Sequence, residues 1–177
     1  MVFALDVFEA IRGRRSVRAF TEEDVPEEVV AALLDAARMA PSAGNVQPWE
    51  FIVVRDRDRK EGLVRTALGQ SFIGEAPVVV VACVDLEKAG WAYGQRGRTL
   101  YCLQDTAAAI ENLLLAAHSL GLGACWVGAF DEELTRRTLA IPARYRSVAI
   151  VPVGHPAEKP RARSRRSLKE IAHNERF

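Results

Sequence analysis

Hydrophobic positions change period several times along the chain, and each change marks an element. Leu5, Phe8 and Ile11 recur at three-residue spacing, which predicts a short helix over 3–13 stopped by Gly13. Residues 14–20 read as extended. A second helix is predicted over 26–39: Asp24 precedes it, Pro26 suits its first turn, and Glu27 and Glu28 complement its dipole. Its apolar face is Val29, Val30, Leu33, Leu34 and Ala37. Turn-formers fill 41–48, before a strand over 49–54 and a charged helix over 56–68. An unbroken apolar, β-branched run over 77–84 predicts a strand buried on both faces. Residues 85–98, with Gly90, Gly94 and Gly97, read as irregular. The longest helix is predicted over 101–120, with Leu103, Ala107, Ile110, Leu113, Leu114 and Ala117 on one face. Ala108, Ala109, Leu115 and Ala116 carry apolar surface much of the way round it, as in a central helix or one at a subunit interface. A strand over 124–127, a short helix over 131–139 and a β-branched strand over 147–153 follow. Helices and strands interleave without strict βαβ units, which predicts a single α+β domain over 1–177. Its sheet would be mixed, of four or five strands, with helices on both faces.

Composition narrows the function classes. The chain has 177 residues, 49% hydrophobic and 27% charged, with a formal net charge of +1. No global field favours nucleic acid or membrane. The positive charge is unevenly placed: Arg12, Arg14, Arg15 and Arg18 crowd one segment, and Lys159, Arg161, Arg163, Arg165, Arg166 and Lys169 another. Cys83, Cys102 and Cys125 are odd in number and show no CxxC spacing, which indicates neither a disulfide framework nor a zinc ribbon. His118, His155 and His173 lack metal-ligand spacing. Asp6 and Glu9 interrupt the first apolar stretch, against a signal peptide, and the apolar run over 76–84 is far short of a membrane span. The expectation is a cytoplasmic protein with no metal.

Two segments carry candidate chemistry. Arg12-Gly13-Arg14-Arg15-Ser16-Val17-Arg18 combines guanidinium groups, a hydroxyl and nearby backbone N–H groups, which suits a phosphate. A solvated charged turn would look similar. The loop from Pro41 to Trp49 sets Ser42, Asn45 and Gln47 between prolines that restrict the backbone, an arrangement able to hold a planar, hydrogen-bonding ligand. Gly121-Leu122-Gly123 does not open a dinucleotide fingerprint. Trp126 stands where the third glycine belongs, and the order is helix-to-strand. No nucleophile is paired with a local base, so the chemistry points to a cofactor.

Taken together, these segments resemble the FMN-dependent nitroreductase family. Arg14-Arg15-Ser16-Val17-Arg18 resembles its R-x-S-x-R opening motif, and Ala40-Pro41-Ser42-Ala43-Gly44-Asn45-Val46-Gln47-Pro48-Trp49 its A-P-S-x-x-N-x-Q-P-W loop. Residues 105–112 with Gly121-Leu122-Gly123 resemble its central helix and G-L-G end. Trp126-Val127-Gly128 is similar to its W-x-G flavin contact, and Val151-Pro152-Val153-Gly154-His155-Pro156 to its V-P-x-G-x-P strand end. The matches run in order from about Ile11 onward, and the short length places the chain with the family's minimal type.

The resemblance implies a three-layer α/β/α fold with a mixed, mainly antiparallel central sheet, in an intertwined homodimer with FMN at the interface. Arg14 and Ser16 would hold the FMN phosphate, helped by Arg163 and Arg165, with Arg15 close by. Arg18 would face the pyrimidine edge of the ring. Pro41, Ser42 and Asn45 would reach in from the partner subunit. Trp126, Val127 and Gly128 would line the ring, and Gln70 would bond its pyrimidine edge. No side chain is expected to be catalytic, because flavin N5 carries hydride from NAD(P)H to a small acceptor (nitroaromatic, quinone, flavin or enone) in a ping-pong cycle. The segment from Gly90 to Arg98 is either a substrate-selecting lid or a plain surface loop. Flavin fragmentation, reductive dehalogenation and a non-catalytic flavin carrier are the competing readings. Nucleic-acid binding is disfavoured, since little aromatic interleaving accompanies the basic clusters.

Overall fold

The computed structural model describes residues 6–177. The helix expected over 3–13 is α1, Val7–Gly13, opened by an Asp6/Glu9 capping box; its expected start at Phe3 and Leu5 lies outside the described residues. Helix α2 (Glu27–Arg38) begins one residue after Pro26. Asp24 is not its cap; it pairs instead with Arg55 at 2.7 Å.

Four strands form one sheet in the order β1-β2-β4-β3: β1 (Trp49–Val54), β2 (Val78–Asp85), β3 (Gly123–Ala124) and β4 (Tyr145–Gly154). All three pairings are antiparallel. The parallel component of the expected mixed sheet is a single bridge between Ser16 and Ala124. The strand expected over 124–127 is cut to two residues plus a bridge from Val127 to Ile150. The β-branched run of β2 is buried throughout, because it is an interior strand, paired on both edges and with helices over both faces.

Side-chain alternation along β2 separates two cores. Val78, Val80 and Ala82 face α2 and α6 (Cys102–Ser119), meeting Leu33, Ile110 and Leu113. Val79, Val81 and Cys83 face the other layer, meeting Leu63 of α3 (Arg57–Thr66) and Ile73 of the short α4 (Phe72–Glu75). The result is the three-layer arrangement, closed by α7 (Glu132–Thr138).

Residues 85–98 are helical rather than irregular. Asp85 caps α5 (Leu86–Arg96) by accepting from the N–H groups of Glu87 and Lys88, both at 3.0 Å. A π-helical turn, Gly97–Tyr101, then leads straight into α6. The glycines that suggest a loop serve close packing instead. A Cβ on Gly97 would stand 2.1 Å from the Ala89 carbonyl oxygen. Gly94 does break the helix, at φ 55° and ψ −141°, a conformation open essentially to glycine alone.

Candidate cofactor site

The chain leaves α1 at Gly13 and runs extended across the end of the sheet. Val17 N–H donates to the Ala124 carbonyl at 3.0 Å and Thr21 N–H to that of His155 at 2.9 Å, which fixes residues 14–20 beside the ends of β3 and β4. The chain that leaves β4 returns alongside, held by Ala157 N–H on the Ala19 carbonyl at 2.9 Å. The two basic segments, about 140 residues apart in sequence, thereby face one another.

Between them lies a cavity of about 1150 Å³. Its walls hold Arg12, Arg14, Arg15, Ser16 and Arg18 from one side, and Arg161, Arg163 and Arg165 from the other. Six of the residues expected to bind a cofactor are thus brought together. Sequence reasoning counted Arg12 and Arg161 only as members of the two basic clusters and missed Glu158, the cavity's one acidic residue. Glu158 accepts the Arg18 backbone N–H at 2.5 Å and so ties the returning chain to the motif. Its sequence signal was faint, an isolated acid directly before a basic run.

The guanidinium groups are engaged unequally. Arg15 Nη1 donates to the carbonyls of Arg12 (2.6 Å) and Arg14 (2.8 Å), bracing the end of α1. Arg14 Nε lies 3.3 Å from Glu111 Oε1 of α6 yet is buried without a hydrogen bond. The guanidiniums of Arg12, Arg18, Arg161, Arg163 and Arg165 form no ion pair among the described residues. Such a concentration of like charge around a cavity is unfavourable until an anion enters it. Donor set, free charge and volume all fit a phosphate-bearing cofactor.

The remaining predicted residues lie outside this cavity. Ser42 Oγ accepts the Gln47 N–H at 3.0 Å, and Asn45 Oδ1 accepts from Gln47 Nε2 at 3.1 Å. Asn45 and Gln47 have φ of 55° and 51°, which holds the loop after Pro41 in a tight turn. Asp105 of α6 anchors it by accepting the Ala43 N–H at 3.2 Å. Gln70 Nε2 donates to the carbonyls of Ala67 (3.0 Å) and Ala129 (3.4 Å), which brings Gln70 to the segment containing Gly128. Val127 is buried and exchanges both backbone hydrogen bonds with Ile150, while Trp126 and Gly128 beside it are exposed.

Two titratable groups border the motif. Cys125 is buried next to Arg18, Ser16 and Arg14, and burial pushes its thiol up despite those neighbours. Burial, reinforced by Arg15 and Arg14, holds the His118 imidazole below its usual range. Among the described residues no group of His, Cys, Asp and Glu could hold a metal ion. No helix among them is long and apolar enough to cross a membrane.

Residues 11–155 match the model of the nitroreductase family. The chain belongs to the nitroreductase family. A relative in Methanothermobacter thermautotrophicus, provisionally named NADH dehydrogenase/NAD(P)H nitroreductase, is 40% identical over 168 residues, covering 92% of this chain and 83% of its own. The FMN reductase [NAD(P)H] of Bacillus subtilis is 28% identical over 97% of this chain and 74% of its own. A nitroreductase family protein from Streptococcus pneumoniae superposes with a TM-score of 0.87 at 25% identity, covering 96% of this chain and 100% of that one.

Proposed function

We propose that the protein is an NAD(P)H-dependent oxidoreductase that binds FMN non-covalently and reduces a small acceptor. The observation that carries this reading is the cavity in which Ser16 and a set of unpaired arginines converge. A phosphomonoester, nearly dianionic at neutral pH, offers three acceptor oxygens to such donors. Arg14, Ser16, Arg163 and Arg165 would hold it. Arg15, already bonded to two carbonyls, would hold the turn that presents them. Arg18 would offer a cation to the electron-rich edge of the ring. Bound there, FMN would supply hydride acceptance from NAD(P)H and its later delivery to an acceptor such as a quinone or nitroaromatic, in alternating half-reactions. The names of the Methanothermobacter and Bacillus relatives support the donor and the flavin.

The working unit would be a homodimer. Val7, Phe8 and Ile11 expose an apolar face of α1 next to the cavity, each more than half accessible. A second copy covering that face would let Pro41, Ser42 and Asn45, which lie outside the cavity of their own chain, serve that of the partner.

The deciding experiment is the visible absorption spectrum of the purified protein, with any released cofactor identified by mass. FMN at near one per subunit supports the assignment. A colourless protein that takes up no added FMN sinks it. With flavin bound, α5 and its π turn are candidates for selecting the acceptor. Exchanging residues 90–98 should shift acceptor preference with flavin retained, and an unchanged acceptor profile would count against that role.

A further inference from the structure

Helix α6 is apolar along its buried face, yet three of its polar side chains reach the loops that form the site. Asp105 bonds the loop after Pro41, Glu111 lies against Arg14, and His118 fills the space beneath Gly13. A Cβ on Gly13 would stand 2.5 Å from His118 Nε2, so imidazole and loop are in close contact. Glu111 and His118 are seven residues apart, two helical turns, and so share one face. The underside of the arginine motif rests on that face.

Arg14 is the part of the motif most in need of support. Its Nε is buried without a hydrogen bond, and its ion-pair partner is Glu111 Oε1, at 3.3 Å. A guanidinium carries five N–H groups in a rigid fork. When the Nε edge is fixed from below, both Nη groups remain for a ligand above. Without an acceptor, the buried Nε–H favours any rotation that finds one, and the fork turns away from the cavity.

We infer that Glu111 is a positioning residue: by closing its 3.3 Å ion pair with Arg14 Nε into a hydrogen bond when a ligand draws on the fork, it aims the Arg14 fork at the phosphate of the bound flavin. Glu111 does not touch the ligand. Its carboxylate also lies near a second negative charge once phosphate is bound, so the useful property is its acceptor oxygen rather than its charge. Glutamine keeps that oxygen and alanine does not. Riboflavin, which shares the ring and ribityl chain but has no phosphate, is blind to where the fork points.

The inference rests on the flavin reading above, and its test keeps the two apart. The apoprotein is titrated with FMN and with riboflavin, following flavin fluorescence, for wild type, Glu111→Ala and Glu111→Gln. Glu111 is about half exposed, and thermal melts confirm that each variant is folded. The expected result is FMN binding weakened about 5- to 20-fold in Glu111→Ala, riboflavin binding unchanged, and FMN binding within about 2-fold of wild type in Glu111→Gln. Three results overturn the role: Glu111→Ala that keeps or improves FMN affinity, equal loss of both flavins, or Glu111→Gln as weak as Glu111→Ala. Wild type that takes up neither flavin overturns the flavin reading itself, an outcome the variants cannot imitate.

Discussion

Arginine is used in opposite ways at two places in this molecule. Where α7 meets β4, Arg136 and Arg137 both contact Glu133, and Arg146 grips Glu132 through two hydrogen bonds of 2.8 Å. Each guanidinium there has a carboxylate of its own fold. At the other site, seven arginines share one cavity with a single glutamate, and six have no ion-pair partner among the described residues. The chain has nearly as many acids as bases, 23 against 24, so acid was available to neutralise both places. Local neutrality is the ordinary outcome for a folded surface. Its absence around a concave site marks where a ligand supplies the missing charge.

The comparison is broken most directly by removing one arginine from each place. Arg14→Ala should weaken FMN binding by roughly 10- to 150-fold, the loss of charge-assisted hydrogen bonds worth ~1.5–3 kcal/mol, and leave riboflavin binding nearly intact. Arg146→Ala should leave both flavins bound as before and lower stability by under about 1 kcal/mol, since both partners are nearly half exposed. Flavin titration and denaturant unfolding of the two variants provide the readings. Equal effects on FMN would mean that unpaired charge is not what distinguishes the cavity. A smaller effect is expected from Gly13→Ala. The new methyl group would push against His118 and displace the motif without removing any charge. Strain of that kind costs about 1–3 kcal/mol of stability. FMN affinity should fall with it, by less than in Arg14→Ala.

How much of this was legible in the sequence follows from where the physics is local. The β-branched run of β2 and the apolar face of α2 are period signals, and both elements lie where the pattern put them. Both arginine clusters were visible as charge, and six of the predicted residues do line one cavity. The misreading of 85–98 has a definite cause. Its glycines were taken as freedom, but Gly97 and Gly90 are small because the Ala89 carbonyl and the Arg98 side chain lie against them, contacts no local pattern encodes. Glu111 was hidden for the same reason. It sits on a helix read as apolar, and only the crossing of α1 over α6 sets it against Arg14, 97 residues earlier. Gln70 was reached through the family resemblance and not by residue logic. In the fold its amide is bonded to the Ala67 and Ala129 carbonyls beside Gly128.

The smallest expected effect separates the two places by pH. His118, under the arginine motif, titrates below its ordinary 6.5 in the folded protein, because of burial first, then Arg15 and Arg14. Well above pH 6.5 it is neutral whether the chain is folded or not, and it contributes nothing to pH dependence. As pH falls through 6.5 the unfolded chain takes up a proton that the folded chain refuses, so stability declines. Glu132 behaves differently. Arg146 holds its carboxyl below the usual 4.5, so its stabilisation is intact above that pH and is lost only in stronger acid. Melting the apoprotein between pH 8 and 5 should therefore show a loss of about 1–3 °C that starts near 6.5. That loss should be flattened in His118→Gln and untouched in Arg146→Ala. A wild-type slope that survives in His118→Gln would remove His118 as its source. Bound phosphate sharpens the contrast further. Its negative charge offsets Arg14 and Arg15, two of the three causes that hold the imidazole down, so the slope should be shallower with FMN than without it.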